Sequence, residues 1–145
     1  MDIKIQSNEQ QKFLTFSCDE VNLAANVKHV SEIIVSNTSV TKVPCVPDYV
    51  HGIMNLRGKI IPVINTRLLL GRNCDEHSEQ SCIIVIQCDD EFTGLLVDYV
   101  KQINDISDQY LSEMPKNQSE NKYLCGILKI GDEVNFILDC SLIGV

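Results

Sequence analysis

Cysteine and histidine are the residue types of this chain that could supply a nucleophile and its base. A cysteine nucleophile needs a neighbouring base and a lowered pKa, and none of His29, His51 and His77 lies in a recognisable local motif with a cysteine. The seven cysteines are odd in number, no Cys-x-x-Cys occurs, and most lie in apolar runs, where a thiol acts as a small hydrophobic group. We therefore expect structural thiols in a reducing compartment, with a thiol-dependent enzyme as a remote alternative.

Metal binding is the second chemistry that the residue types allow. Cys74 and His77 have the spacing of metal ligands, and Cys82 follows five residues after His77. A structural zinc site usually takes four ligands from two separated pairs, whereas this pair stands alone in a polar segment. The acidic run 89–91 lacks the glycine and the alternating ligands of a calcium loop. The sequence therefore predicts no metal and no cofactor, and a metal-dependent enzyme is a further remote alternative.

Arg57 is the strongest candidate for a binding contact. Arg57 and Gly58 separate two apolar runs, so the arginine lies at the apex of a predicted hairpin and is held away from the core. Its planar guanidinium fits the carboxylate or backbone carbonyl groups of a partner. The alternative is a turn arginine that only adds solubility. The chain has no Gly-rich phosphate loop and no aromatic platform between basic residues, so a protein-binding module is favoured over an enzyme.

Composition and charge limit the partners. The 145 residues include 12 basic and 20 acidic side chains and carry a net charge of −8, which repels phosphate backbones and anionic lipid headgroups. We therefore expect no nucleic-acid binding. No apolar run is long enough to span a bilayer, and the first four residues, MDIK, show no secretory signal. We therefore also expect no direct insertion into a membrane.

Short apolar runs that alternate with turn signals predict an all-β fold. Four hairpins are predicted, with strands over 13–18 and 21–25, 53–56 and 59–64, 82–88 and 92–97, and 124–130 and 133–138. Two further strands are predicted over 33–35 and 100–106. Short helical turns are predicted over 47–51, 66–70 and 140–143, and an irregular loop over 109–122. Pro62 indicates an edge strand or a bulge in its strand.

A near-repeat at constant spacing runs through the chain. Residues 52–60 (GIMNLRGKI) align with residues 126–134 (GILKIGDEV), and the register continues without a gap into 62–65 and 136–139. Both copies have the pattern of a strand, a tight turn and a second strand. The chain is therefore expected to contain two copies of one supersecondary unit.

Each copy of the repeat ends in a residue that can cap a short helical turn. Asn65 and Asp139 hold equivalent positions, and such side chains accept the free amide hydrogens at the start of a helix. The repeat predicts two related β units over 12–71 and 82–144. Units of this size are marginal alone, so we expect them to share apolar surface.

The stretch 52–64 resembles the CheW family of bacterial chemotaxis coupling proteins. That family carries a glycine, a short apolar strand, Asn-Leu-Arg-Gly and an apolar strand with proline, as this stretch does. Further family motifs match in order, at 13–16 (FLTF), 30–33 (VSEI), 44–50, Arg67, 94–100 (GLLVDYV), 123–126 (YLCG) and 138–139. The resemblance covers about residues 13–143. Asn65 departs from the aspartate usual in the family, and residues 23–26 replace a stretch that often contains tyrosine.

The resemblance implies an all-β fold of two five-stranded SH3-like barrels around a shared hydrophobic core, with a few short helices. Residues 1–12 would form a flexible tail and residues 13–143 the CheW-like domain. It also implies a cytoplasmic adaptor and no enzyme. Its partners would be the regulatory domain of the histidine kinase CheA and the cytoplasmic tip of a methyl-accepting receptor, at receptor arrays. Other CheW-like proteins are further possible partners, and an adaptor of a pilus-motility or other non-flagellar system is the alternative.

Seven positions match the partner contacts of the family. Arg57 matches the motif arginine implicated in partner contact. The other matching positions, in or near partner surfaces, are Val30, Glu32, Gly52, Asn55, Gly58 and Val100. The alternative roles are structural: backbone geometry for the glycines, core packing for the valines and a solvated charge for the glutamate.

Overall fold

The computed structural model describes residues 11–35, 40–72, 81–113 and 121–143. Eleven short strands account for most of these residues. The strands are β1 (Gln11–Cys18), β2 (Val21–Asn26), β3 (Val30–Val35), β4 (Val50–Leu56), β5 (Lys59–Asn65), β6 (Cys82–Cys88), β7 (Glu91–Val97), β8 (Tyr99–Ile106), β9 (Leu111–Glu113), β10 (Leu124–Ile130) and β11 (Glu133–Leu138). One helix, α1, covers Thr66–Leu69, and 3-10 turns cover Val27–His29, Asp108–Tyr110 and Cys140–Leu142. The predicted all-β class is confirmed. No helix within the described ranges has the length and apolar character needed to cross a membrane.

The strands form two sheets. Sheet A has the order β8-β1-β2-β11-β10-β9, and sheet B has the order β3-β6-β7-β5-β4. The four predicted hairpins are confirmed as the antiparallel pairs β1–β2, β4–β5, β6–β7 and β10–β11. Sheet A has a sixth strand because the segment 109–122, predicted as irregular, contributes the three-residue β9 beside β10.

Each sheet combines strands from both halves of the chain. The β1–β2 hairpin joins β8–β11 in sheet A, and the β6–β7 hairpin joins β3–β5 in sheet B. Each inserted hairpin is joined on one side by an antiparallel pairing, β1 with β8 and β6 with β3, and on the other by a parallel pairing, β2 with β11 and β7 with β5. The two halves therefore exchange their first hairpins, which interleaves the chain between the sheets.

The repeat is reproduced in the hydrogen-bond register. In the β4–β5 pair the register shifts between Val50 and Gly52, and in the β10–β11 pair it shifts between Leu124 and Gly126. These two bulges lie at aligned positions of the repeat. A bulge bends a strand and increases its twist, so the two hairpins curve in the same way.

The predicted caps end both copies of the repeat. The side-chain oxygens of Asn65 and Asp139 accept a backbone amide of the following helical turn at 3.3 Å and 3.1 Å. Their own backbone amides donate to the carbonyls of Tyr49 at 2.7 Å and of Tyr123 at 2.8 Å. The helical turns predicted near 66–70 and 140–143 are therefore confirmed, and each is tied to the loop before its hairpin.

Three apolar clusters make up the core. The seam cluster joins the two sheets and includes Phe16 and Leu23 from sheet A and Ile84 and Leu95 from sheet B, all fully buried. The second cluster lies within sheet B and the third within sheet A. Burying one such side chain contributes roughly 1.5–3 kcal/mol. The predicted shared core is thus the seam cluster, and each barrel also has its own interior.

Two local predictions around proline are wrong. The segment 47–51 is not helical, because the amide of Val50 donates to the Pro47 carbonyl at 3.0 Å in a single turn and β4 then begins. Strand β5, which contains Pro62, is not at an edge but lies between β7 and β4. The bulge lies in β4, and the parallel pairing with β7 starts only after Pro62.

The tolerance of Pro62 has a structural reason. Ile53 is its partner on β4, and the amide and carbonyl of Ile53 are both bonded to Thr41, at 2.8 Å each. No hydrogen bond on that side requires an amide from Pro62, which has none to donate. A central strand can therefore contain this proline.

Candidate partner-binding surface

The Arg57 hairpin has the geometry of a tight two-residue turn. Arg57 and Gly58 both have positive φ, at 50° and 89°, as turns that match the twist of a hairpin require. The side-chain oxygen of Asn55 accepts the Gly58 amide at 2.8 Å. Asn55 therefore fixes the turn, and the turn holds the arginine at the apex.

Arg57 pairs with Glu32 across sheet B. Two parallel contacts, at 2.8 Å and 2.9 Å, join the terminal nitrogens of the guanidinium to the two carboxylate oxygens. Glu32 lies on β3, one edge of the sheet, and Arg57 follows β4, the other edge. The pair therefore helps to close sheet B into a barrel. We call Glu32, Asn55, Arg57 and Gly58 the Arg57 surface.

The arginine keeps binding capacity outside this pair. Its side chain is 73% exposed, against 25% for Glu32. A guanidinium has five N–H donors, and the fork to the carboxylate occupies only part of them. An ion pair at such a site contributes about 0–1 kcal/mol to stability, so Glu32 orients the arginine more than it stabilises the fold.

Val30 and Val100 lie at equivalent places on different sheets. Val30 pairs with Ile86 on β6 and Val100 pairs with Phe16 on β1, each beside a register shift. Both valines are half-buried and pack against the seam cluster. Val30 shares β3 with Glu32, whereas Val100 lies on sheet A and is not part of the Arg57 surface.

Gly52 is buried and has a packing reason of its own. A Cβ placed on Gly52 would overlap the Thr41 carbonyl oxygen, closer than real Cβ contacts allow. Its counterpart Gly126 shows a milder form, with 3.0 Å to the Ser112 carbonyl oxygen. The absence of a side chain at Gly52 therefore permits Thr41 to approach β4 closely. Because Gly52 is buried, it presents no exposed surface.

A chain of polar contacts between the sheets has no counterpart in the sequence predictions. Arg67 donates to both carboxylate oxygens of Asp98, at 2.8 Å and 2.5 Å, and both side chains are largely buried. The Asp19 amide donates to Asp98 at 2.8 Å, and Arg72 donates to the Asp19 carboxylate at 2.7 Å. The hydrogen bond from Arg72 lowers the pKa of Asp19. Arg67 and Asp98 both lie in matched motifs, but nothing in their spacing showed that they meet.

Five of the cysteines that the structure describes do not have the character of activated nucleophiles. Burial raises the pKa of Cys18 and Cys140 to about 12. Burial also raises the pKa of Cys82, Cys88 and Cys125. A raised pKa reduces the thiolate that carries the reactivity.

One cysteine lies beside a histidine that sequence motifs did not link to it. The Cys88 sulfur lies 3.6 Å from Nδ1 of His29. Within the described ranges, no three metal-ligating side chains converge. Cys74 and His77, the pair with metal-ligand spacing, lie outside the described residues.

Comparisons with known proteins agree on one family. Residues 12–144 match the family model described as a CheW-like domain. The chain is 34% identical to the chemotaxis protein CheW of Thermotoga maritima, over 90% of this chain and 85% of that protein. The crystal structure of the scaffolding protein TtCheW from Thermoanaerobacter tengcongensis matches with a TM-score of 0.84 and 31% identity, over 89% of this chain and 88% of that one. A weaker match, to protein PilI of Pseudomonas aeruginosa, is 33% identical over only 41% of this chain. The chain therefore belongs to the CheW-like family of chemotaxis adaptor proteins.

Proposed function

We propose that this protein couples methyl-accepting chemoreceptors to the histidine kinase CheA in the cytoplasm, at receptor arrays. Membership of the family supports an adaptor role. The observation that carries the proposal for this chain is the exposed guanidinium of Arg57, which Glu32 orients at the apex of a rigid turn. A rigid donor at an apex fits a partner's carboxylate or backbone carbonyl.

Exposed apolar side chains on β3 and β5 add to the docking area. Ile33 and Val35 on β3 are 40% and 75% exposed, and Ile60, directly opposite Asn55, is 61% exposed. Charged residues at the rim orient a complex, while apolar residues at its centre contribute affinity. We infer that one partner covers β3 and the tip of the β4–β5 hairpin together.

The adaptor makes and breaks no covalent bond. It holds receptor and kinase in a fixed geometry, so a small shift in the receptor changes the balance between active and inactive kinase. The seam cluster supports this role, because one continuous core makes the two sheets a single rigid spacer. Transient signalling contacts of this type need only a modest interface.

Reconstitution tests the proposal. Receptor-containing nanodiscs, CheA and this protein are combined, and autophosphorylation of the kinase is measured with and without the adaptor. We expect kinase activity to rise only when receptor and adaptor are both present, and to fall with Arg57→Ala. Lys129→Ala, on sheet A, is the matched control and keeps full activity. A parent protein that binds neither partner overturns the proposal.

The adaptor of a pilus-motility system is the second candidate, favoured only by the partial match to PilI. Affinity capture from the native organism, followed by identification of the kinase retained, separates the two systems. A thiol- or metal-dependent enzyme is tested by native mass spectrometry for a bound metal and by thiol-labelling rates. Stoichiometric zinc or a fast-reacting cysteine favours the enzyme.

A further inference from the structure

Cys88 and Cys140 lie on elements that pack against each other. Cys88 is the last residue of β6, and Cys140 begins the 3-10 turn that packs on β6. Both cysteines line one cavity of about 370 Å³, together with Thr93, Ser141 and the acidic run 89–91. Both also belong to the seam cluster or pack directly against it. Two cysteines that are 52 positions apart in the sequence are thus neighbours in space, and they share one opening to solvent.

The surroundings of this pair include a base. Nδ1 of His29 is 3.6 Å from the Cys88 sulfur and can accept its proton. Burial is the largest cause of the high pKa of Cys140, and the charges of Cys88 and Asp139 raise it further. The influence of Cys88 on Cys140 is a second sign that the two sulfurs are close. Burial also raises the pKa of Cys88, and the nearby charges of Asp89 and Asp139 add to this. Neither thiol is therefore a preformed thiolate, so their chemistry is slow and depends on pH.

We propose that Cys88 and Cys140 form an oxidisable pair that closes to a disulfide when the protein meets a peroxide. The Cys88 thiol first loses its proton to His29, and the sulfur then attacks one peroxide oxygen. The O–O bond breaks, Cys88 becomes a sulfenic acid and water leaves. The Cys140 sulfur displaces the sulfenic hydroxyl as a second water. Two thiols are oxidised to one disulfide, and one peroxide is reduced to two waters.

The other described cysteines fit this chemistry less well. Cys18 and Cys82 are buried, as Cys140 is, but neither of them lines this cavity. Only the first thiol has to meet the oxidant, and Cys88 is the more exposed member of the proposed pair. Cys45 and Cys125 are exposed, but neither lines this cavity. Cys125 is the nearest competitor, because its charge also raises the pKa of Cys140. The cavity therefore distinguishes Cys88 as the thiol that pairs with Cys140.

The Cys88–Cys140 disulfide would form close to β3, the proposed docking strand. His29 immediately precedes β3, which begins at Val30, and Cys88 lies two residues after Ile86, the partner of Val30. Oxidation of Cys88 removes the thiol that His29 contacts. The disulfide itself is independent of the proposed function, since it is measured without receptor or kinase.

Mass spectrometry of the oxidised full chain tests the pair. The reduced protein is treated with hydrogen peroxide, free thiols are alkylated, and cross-linked peptides are assigned by tandem fragmentation. We expect the Cys88–Cys140 link to dominate and to form faster at pH 8.5 than at pH 7. Cys88→Ser and Cys140→Ser each abolish this link, while Cys125→Ser leaves it unchanged. His29→Gln slows its formation without removing it.

Three results overturn the proposal. The first is a parent protein in which Cys88 and Cys140 both stay alkylatable after the other thiols have oxidised. The second is a dominant link from Cys140 to Cys125. The third is conversion of Cys88 to sulfinic acid with no cross-link, which places Cys140 out of reach. All three are read on the parent chain, so the outcome does not depend on the folding of a variant.

Discussion

Arg57 and Glu32 form a two-pronged ion pair that joins the two edge strands of sheet B. The arginine lies at the apex of a turn, and the glutamate lies on a strand 25 residues earlier. Both residues are predicted from the sequence to contact a partner, and in the structure they contact each other. A change at either one removes the partner that orients the other, so we expect their effects on partner binding to be coupled.

We expect Arg57→Ala and Arg57→Glu to weaken kinase coupling while the fold stays intact. The exposed pair contributes only about 0–1 kcal/mol, so urea unfolding should shift by no more than that. Combining Arg57→Glu with Glu32→Arg restores the pair in reverse. If Arg57 itself contacts the partner, this double variant regains stability but not coupling. A single variant that couples like the parent, or that unfolds, contradicts the prediction.

Gly52→Ala is expected to destabilise the fold by roughly 1–3 kcal/mol, the usual cost of overpacking. The added Cβ would meet the Thr41 carbonyl oxygen and the Val40 side chain. Gly58→Asn is the matched control in the same hairpin. Nothing lies within 4 Å of a Cβ there, and asparagine tolerates positive φ, so the cost should stay below about 1 kcal/mol. The free energy of unfolding in urea compares the two, and equal stability of Gly52→Ala and the parent would refute the close approach.

Arg67→Met should cost about 3 kcal/mol in the free energy of unfolding. It leaves the Asp98 carboxylate, whose side chain is 13% exposed, without its main counter-charge, and breaking a buried pair in this way costs roughly 3–5 kcal/mol. Arg72→Met removes the exposed end of the same chain of contacts and should cost less than about 1 kcal/mol. Adding Asp98→Leu to Arg67→Met should recover part of the loss. Equal effects of the two arginine variants would argue against this assignment.

Asp19 should make stability depend on acid pH. The hydrogen bond from Arg72 lowers the pKa of Asp19 below its ordinary value of 3.8. Because the folded pKa lies below the unfolded one, the stabilisation is complete above the unfolded pKa and is lost as pH falls through the folded pKa. The stability gap between the parent and Asp19→Asn should therefore narrow between pH 6 and pH 2. A gap that stays constant over that range would show that the carboxylate does not contribute through its charge.

The local features of the fold were predictable from the chain. The hairpin turns at Arg57-Gly58 and Gly131-Asp132 each contain a glycine, and both glycines have positive φ. The caps at Asn65 and Asp139 follow from side chains that bond to amides two or three residues away. The near-repeat predicted two similar hairpins, and the structure reproduces even their bulges. These interactions span only a few residues, so the sequence specifies them directly.

Only the tertiary structure decided which strands share a sheet. Apolar alternation shows that a strand has a buried face, but it does not identify the neighbouring strand. The exchange of the first hairpins, the contact of Arg57 with Glu32 and that of Cys88 with His29 all follow from that choice. Each joins residues that are far apart in the sequence. Such contacts depend on how the whole seam cluster packs, because many strand orders can bury the same apolar residues.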